Sequence, residues 1–211
     1  VLEASPTLLP GFPPNVQAAA KRRLESLGVH LHLGQPITQV TSEEASLKDG
    51  SRHPYNVFMW CGGIKAHPLT ASLGPTNRKG QIEVNARLEL PSDSRITVIG
   101  DSAAVMDWER HVPLPQTALN AVDEGRFVAD DIVRQLQSRE RLDHFHAHPA
   151  VMVIPVGGRW AISAGGKTLR TGWIAWLERK WIDWRYFRTI LPLGQAWRVF
   201  TAGGMAYLQN N

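Results

Sequence analysis

Along this chain unbroken apolar runs, two-residue alternation and helical repeats succeed one another, and each change of period marks an element. Val1-Leu2-Glu3-Ala4 reads as the end of a parallel strand closed by a carboxylate. A Pro-rich loop leads to Asn15, which caps a predicted helix to about Leu27. Ala18, Ala19, Leu24 and Leu27 point inward, Lys21, Arg22, Arg23 and Glu25 outward, and Gly28 stops it. Val29 to Leu33 alternates apolar residues with His30 and His32, so both imidazoles share one strand face. Ile37–Val40 and Ala45–Leu47, with Asp49-Gly50 after them, form a small antiparallel meander. Val57-Phe58-Met59-Trp60 predicts a buried strand ended by Cys61-Gly62-Gly63. Asn77 to Gly80 is a turn, Ile82–Val84 and Leu88–Leu90 alternate as short strands, and Met106 to Val112 is a loop.

The most informative stretch lies between those strands and that loop. Ile96 to Ile99 is apolar, β-branched and without alternation, the pattern of a strand buried on both faces of a parallel sheet. Gly100-Asp101-Ser102 ends it. Ligands of open α/β sheets bind at the carboxyl ends of strands, where an Asp accepts hydrogen bonds from sugar-like hydroxyls and a Gly admits a flat ligand. A helix from about Gln116 to Leu136 follows Pro113 and Pro115, with Gln116, Thr117 and Ala118 at its positive end. Ala118, Ala121, Val122, Gly125, Ala129, Ile132, Val133 and Leu136 recur at helical spacing and predict its buried face.

Composition narrows the class without choosing a ligand. The 211 residues are 43% hydrophobic and 20% charged, which suits a globular chain of one large or two small domains. A net charge of +4 fits an acidic cofactor or an anionic surface. The basic residues are spread rather than striped, which argues against a nucleic-acid partner. The single cysteine, Cys61, excludes an intrachain disulfide or a paired-cysteine redox centre and reads as a packing residue. His30 and His32 have ligand-like spacing but no third suitable ligand nearby, and His144, His146 and His148 alternate in a charged connector, a spacing that suits a metal only if the segment is extended. A half-exposed strand and a solvated connector are the better readings, and no metal site is predicted.

Thr97-Val98-Ile99-Gly100-Asp101-Ser102-Ala103, with Pro115 to Gly125-Arg126-Phe127-Val128-Ala129, resembles the second flavin motif of the two-dinucleotide-domain FAD oxidoreductases. Among these the chain looks most like the alternative, type II, single-subunit NADH:quinone dehydrogenases. The resemblance implies an α/β fold containing parts of two Rossmann-like domains. Residues 1–62 would be the C-terminal half of the NAD domain, 63–145 the C-terminal part of the FAD domain, and 146–211 a hairpin and amphipathic helical region. It implies FAD held by Gly100, Asp101 and Ser102, with Gln116, Thr117 and Ala118 at the helix end facing the isoalloxazine. It also implies NADH, with Glu3 on the adenosine ribose and Gly62 and Gly63 at the crossover between domains. Glu3 as a solvated surface residue is the alternative. The sequence contains no G-x-G-x-x-G loop and begins inside a strand, so the expectation is a C-terminal fragment with little activity or flavin of its own. Aligned on Gly125-Arg126, Leu119 and Asp123 stand where the family has two Gln residues associated with the quinone pocket. The resemblance therefore supports the NADH-to-FAD half more than the quinone half.

The chain changes character at Gly172. Val151–Ile154 and Trp160–Ser163 predict a hairpin through Gly157-Gly158. Five of the eight tryptophans lie at or beyond Trp173, and Trp173, Trp176, Leu177, Trp181, Trp184 and Phe187 fall on one helical arc. An aromatic face with basic residues able to snorkel predicts a helix lying in a membrane interface, and packing on the core or on a partner is the alternative. The family resemblance adds a quinone acceptor and a location in the cytoplasm, peripheral at the inner face of the cell membrane. A second copy of the chain is a candidate partner. The rival functions are a flavoprotein reductase with a soluble acceptor and a non-catalytic membrane-surface or partner-binding module.

Overall fold

A computed structural model describes residues 1–147, 151–165 and 168–208, the side chains of 204–208 excepted. The chain divides into two compact units: Val1–Met59 with Pro149–Asn211, and Trp60–His148. The mixed α/β composition agrees with the fold class read from the sequence.

The first unit begins with β1 (Leu2–Glu3), α1 (Pro14–Ser26) and β2 (His32–Leu33), and β1 and β2 pair in parallel. Pro14 occupies the first turn of α1, and Pro13, not Asn15, is the residue before it. Asn15 lies inside the helix because Pro14 is already set for helical φ. Val16, Ala19 and Ala20 form the buried face, while Leu27 is exposed. The meander is present as β3 (Ile37–Val40), β4 (Glu44–Leu47) and β5 (Arg52–Pro54), turned at Gly50 with φ +86°.

In the second unit β6 (Ile82–Glu83) is followed by β7 (Glu89–Leu90), β8 (Asp93–Thr97), β9 (Ala103–Ala104), β10 (Met106–Asp107), β11 (Val112–Pro113) and α2 (Ala118–Leu136). β6 pairs in parallel with β9, and β7 pairs antiparallel with β8. The core is Ile82, Val84, Leu88, Leu90, Val98, Ala103, Val105, Val128 and Phe145. The expected loop at Met106–Val112 is a hairpin, β10 against β11, because the buried Asp107 carboxylate accepts the N–H groups of Glu109 and Arg110 and closes the turn.

Several expectations change here. Ile96 to Ile99 is not buried on both faces: Val98 is buried, Thr97 is exposed and Ile99 is 38% exposed. β8 has one antiparallel neighbour, so only alternate residues reach the core. Val57–Trp60 forms no strand, and Val57 and Met59 stay 78% and 77% exposed, because no described strand offers that segment a ladder. Cys61 is exposed, not packed.

The predicted face of α2 also rotates. Asn120, Glu124, Val128 and Asp131 are buried at spacings of four, four and three, while Ile132, Val133 and Leu136 are exposed. Polar groups win this face because each finds a partner. Asp131 and the buried Glu89 both receive Arg141, which comes from the expected connector, and Phe145 of that connector enters the core. His146 meets Glu109 at 3.0 Å and lies against His144 with the rings tilted by 49°, and His148 lies outside the described residues.

The chain then returns to the first unit as β12 (Met152–Pro155), β13 (Ala161–Gly165) and β14 (Thr168–Gly172), a three-stranded antiparallel sheet with β13 in the centre. Register places Ile154, Ile162, Ala164, Leu169 and Thr171 on the face that meets α1. Ser163 and Arg170 lie on the other face. There α3 (Trp173–Ile190) packs, with Arg170 donating to Glu178 at 2.7 Å, and α4 (Leu193–Leu208) packs on α3. Trp184 meets Trp197 and Phe200 of α4 and is half-buried, as is Trp176. The exposed stripe of α3 is Ile174, Leu177, Trp181, Arg185 and Arg188, flanked by Trp173. No described helix is long and apolar enough to cross a membrane.

Candidate functional site

The second unit brings six of the sequence-predicted residues together. Gly100–Ser102 forms one 3₁₀ turn at the end of the β8 segment, and it rests on the start of α2. Gly100 has φ +64°, a conformation that favours Gly, and a Cβ there would lie 3.5 Å from that of Ala121. Gln116 Nε2 donates to the Asp101 carbonyl at 3.0 Å, tying the helix start to the turn. Thr117 caps α2 by accepting the Asn120 N–H at 3.3 Å, and Asn120 Nδ2 donates to the Pro115 carbonyl at 2.8 Å. The first-turn N–H groups of Ala118 and Leu119 precede the helix's own ladder and carry its positive end. Asp101 is exposed, so its carboxylate is available to a ligand. Behind the turn lies a tight recess of about 10 Å³ bordered by Gly100, Val105, Leu114, Thr117, Ala121 and Glu124.

Glu124 is the residue that sequence reasoning missed. It is 3% exposed, and its Oε2 accepts the Gly100 N–H at 2.6 Å. The helical spacing Asn120–Glu124–Val128 was the available signal, but a polar residue two places from Val122 reads as solvent-facing until the turn is in place. Burial pushes the Glu124 carboxyl up; the Gly100 N–H opposes this, and the charges of Asp101 and Asp123 add to the rise. A raised folded-state pKa makes this group's contribution fullest below the ordinary carboxylate range, and the contribution is lost as pH rises through the folded value. Glu124→Gln, which keeps an acceptor for Gly100, is therefore expected to raise the thermal midpoint at pH 8. The gain should shrink toward pH 4, and equal gains at both pH values would contradict the assignment.

The remaining predicted residues are placed separately. Glu3 sits at the carboxyl end of the parallel pair β1 and β2, half-buried, with Oε1 accepting the Ser5 N–H at 2.7 Å. It belongs to the first unit. Gly62 and Gly63 open the second unit. Trp60 Nε1 donates to the Gly62 carbonyl at 3.2 Å, a Cβ on Gly62 would meet the Trp60 ring at 3.0 Å, and Gly63 has φ +92°. Among the described residues no group of three metal-ligating side chains converges.

A glycine turn, a carboxylate and a helix N-terminus in this order suit a dinucleotide's sugar and ring, and comparison with known proteins decides the family. The family model for pyridine nucleotide-disulphide oxidoreductases matches residues 1–125. The chain belongs to this family. The chain is similar to the type II NADH:quinone oxidoreductase Ndh of Mycobacterium tuberculosis, 27% identical over 84% of this chain and 39% of that protein. The type II NADH:quinone oxidoreductase of Haemophilus influenzae is 31% identical over 50% of this chain and 24% of that protein. The chain thus spans about two fifths or less of the length of these relatives. A solved structure of NDH2 from Plasmodium falciparum in complex with NADH shares the fold, with a TM-score of 0.79 over 95% of this chain and 56% of that one, at 13% identity.

Proposed function

We propose that this chain is the C-terminal part of an FAD-dependent NADH dehydrogenase that moves hydride from NADH to FAD and passes electrons to a quinone at a membrane surface. The observation that carries this reading is the Gly100–Ser102 turn tied to the α2 N-terminus by Gln116, inside the segment that the family model matches. The residues present fit a flavin: Gly100 leaves backbone approachable, Asp101 is exposed, and the helix end, capped by Thr117, lies against the turn. FAD bound there supplies the two-electron acceptor for the hydride.

The chain's own residues bind and orient. The Asp101 carboxylate accepts hydrogen bonds from ribityl hydroxyls, and the positive end of α2 favours negative charge placed before Ala118. Glu124 holds the Gly100 N–H and so fixes the turn that presents Asp101. Glu3 accepts from the ribose diol of NADH and repels a 2′-phosphate, which selects NADH over NADPH. Gly62 and Gly63 allow close approach of backbone to the rings.

The stripe Ile174, Leu177 and Trp181 with Trp173, ending in Arg185 and Arg188, supports a peripheral position at the inner face of the cell membrane. Liposome flotation tests it: Trp173→Ser with Trp181→Ser should leave most of the protein unbound while its fold is retained. A reductase with a soluble acceptor is the second reading, favoured by Leu119, 44% exposed, and Asp123 in place of the family's Gln pair.

The deciding experiment uses a polypeptide that adds the preceding dinucleotide loops to these residues. Under anaerobic conditions NADH should bleach its flavin absorbance near 450 nm, and NADPH should do so poorly. The 211-residue chain alone should carry little flavin. A flavin-free extended protein, or one that NADH leaves oxidised, would overturn the reading.

A further inference from the structure

The first unit carries an open cleft of about 390 Å³ between α1 and the edge strand β14, bordered by Ala19, Arg22, Arg23, Trp160, Leu169 and Thr171. It is independent of the redox reading, since the flavin residues belong to the other unit and Glu3 is not among its walls.

The two arginines differ in how they are held. Arg23 donates through Nε to the Val156 carbonyl at 3.2 Å and through Nη2 to the Gly157 carbonyl at 3.3 Å. Its guanidinium also lies 5.4 Å from the Trp160 ring centroid. It is fixed before any ligand arrives. Arg22, the next residue back, has no hydrogen-bond or ionic partner among the described residues. No acidic side chain borders the cleft, and Glu25, the acid nearest along α1, is 3.9 Å from Lys21. Both arginines border the cleft and no acid does, so an anion bound there supplies the missing counter-charge.

The shape and lining narrow the anion. A guanidinium fork matches phosphate geometry, and the Thr171 hydroxyl adds a neutral donor. The floor is apolar: Ala19 is 4% exposed, and Trp160 and Leu169 are half-buried. A bare inorganic ion would leave that floor uncovered. We propose that this cleft binds a phosphate-bearing anion with an aromatic or apolar group attached, Arg22 pairing with the phosphate and Trp160 and Leu169 receiving the attached group. The β12–β14 sheet separates the cleft from α3: Ile162, Leu169 and Thr171 face α1, while Ser163 and Arg170 face α3. The ligand is thus reached from the side opposite the aromatic stripe, which points to a soluble source and not a lipid headgroup.

The test is a titration of the 211-residue chain followed by NMR at the Trp160 indole N–H and the Thr171 amide. The probes are phenyl phosphate, inorganic phosphate and dihexanoyl-phosphatidylglycerol below its micelle concentration. Phenyl phosphate should shift both signals saturably and bind about tenfold or more tightly than inorganic phosphate, through burial of its ring. Arg22→Gln should weaken phenyl phosphate at least about tenfold, the worth of one charge-assisted pair. Lys21→Gln, which removes an equal charge one residue away from the cleft, should leave it unchanged. No saturable shift, an equal loss in the Lys21 variant, or inorganic phosphate binding as tightly as phenyl phosphate would overturn the proposal. Tighter binding of the short-chain lipid than of phenyl phosphate at the same two signals would overturn the soluble source.

Discussion

Arg141→Met is expected to lower the stability of the chain by about 3–5 kcal/mol, the usual cost of removing one partner from a buried ion pair. Arg141 is the cation of a three-residue network. Its Nη2 meets Glu89 Oε1 at 2.6 Å and also bonds Asp131, whose side chain is 6% exposed; that of Glu89 is 3% exposed. Methionine preserves the apolar stem but leaves two carboxylates buried side by side without their counter-charge. Asp131 keeps the Gln135 amide at 3.0 Å and the Leu142 N–H at 3.0 Å, which soften the loss without neutralising a charge. The effect should depend on pH in a defined sense. Hydrogen bonding from Arg141 holds the Asp131 carboxyl below its ordinary range, so this stabilisation is present above the unfolded value and lost as pH falls through the folded one. Urea unfolding of parent and variant should therefore diverge most near pH 7 and converge in acid. A loss below about 1 kcal/mol at pH 7 would mean that the network is a surface pair in effect.

Asp101→Ala in the extended protein is expected to weaken flavin binding by about ten- to a hundredfold, the range of a charge-assisted hydrogen bond. Asp101 is exposed at the tip of the 3₁₀ turn, and the Gln116 contact goes to its backbone carbonyl, so the turn itself survives the change. The readout is the flavin-to-protein ratio after dialysis, with thermal unfolding of the apo form as the control. Retained stability with lost flavin assigns the carboxylate to the ligand. Unchanged flavin content would remove Asp101 from the site. Loss of flavin together with loss of stability would show that the residue acts on the turn and not on the ligand.

The turn chemistry and helix signals of this site were legible in the sequence because they are local. Asp101 stands directly after the strand and Gly100, and Pro113 and Pro115 introduce the helix that follows. The same holds for α1, the meander, the hairpin at Gly157-Gly158 and the two helices after Gly172. Each depends on residues within a few positions of one another, which periodicity and capping rules address.

What local rules could not supply was the identity of the neighbour. Ile96–Ile99 and Val57–Trp60 have the composition of central strands, yet a strand is buried on both faces only if other strands and layers flank it. The described chain supplies one partner to the first and none to the second. The face of α2 was misread for a related reason. Asn120, Glu124 and Asp131 are each hydrogen-bonded there, by Pro115, Gly100 and Arg141, and all three partners come from outside the helix. Likewise Trp176 and Trp184 share the sequence arc of Trp173 and Trp181, but packing against the sheet and α4 draws them inward.

By itself, then, the sequence determined that helices follow Pro13, Pro115 and Gly172 and which residues could bear the ligand chemistry, because those properties follow from backbone conformation and short-range hydrogen bonds. Only the tertiary structure decided which faces are buried, that Glu124 stands behind Gly100, and that Arg22 and Arg23 share a cleft with Trp160. Each of those depends on a contact between residues far apart in the chain, and hydrophobic period carries no information about a partner that remote.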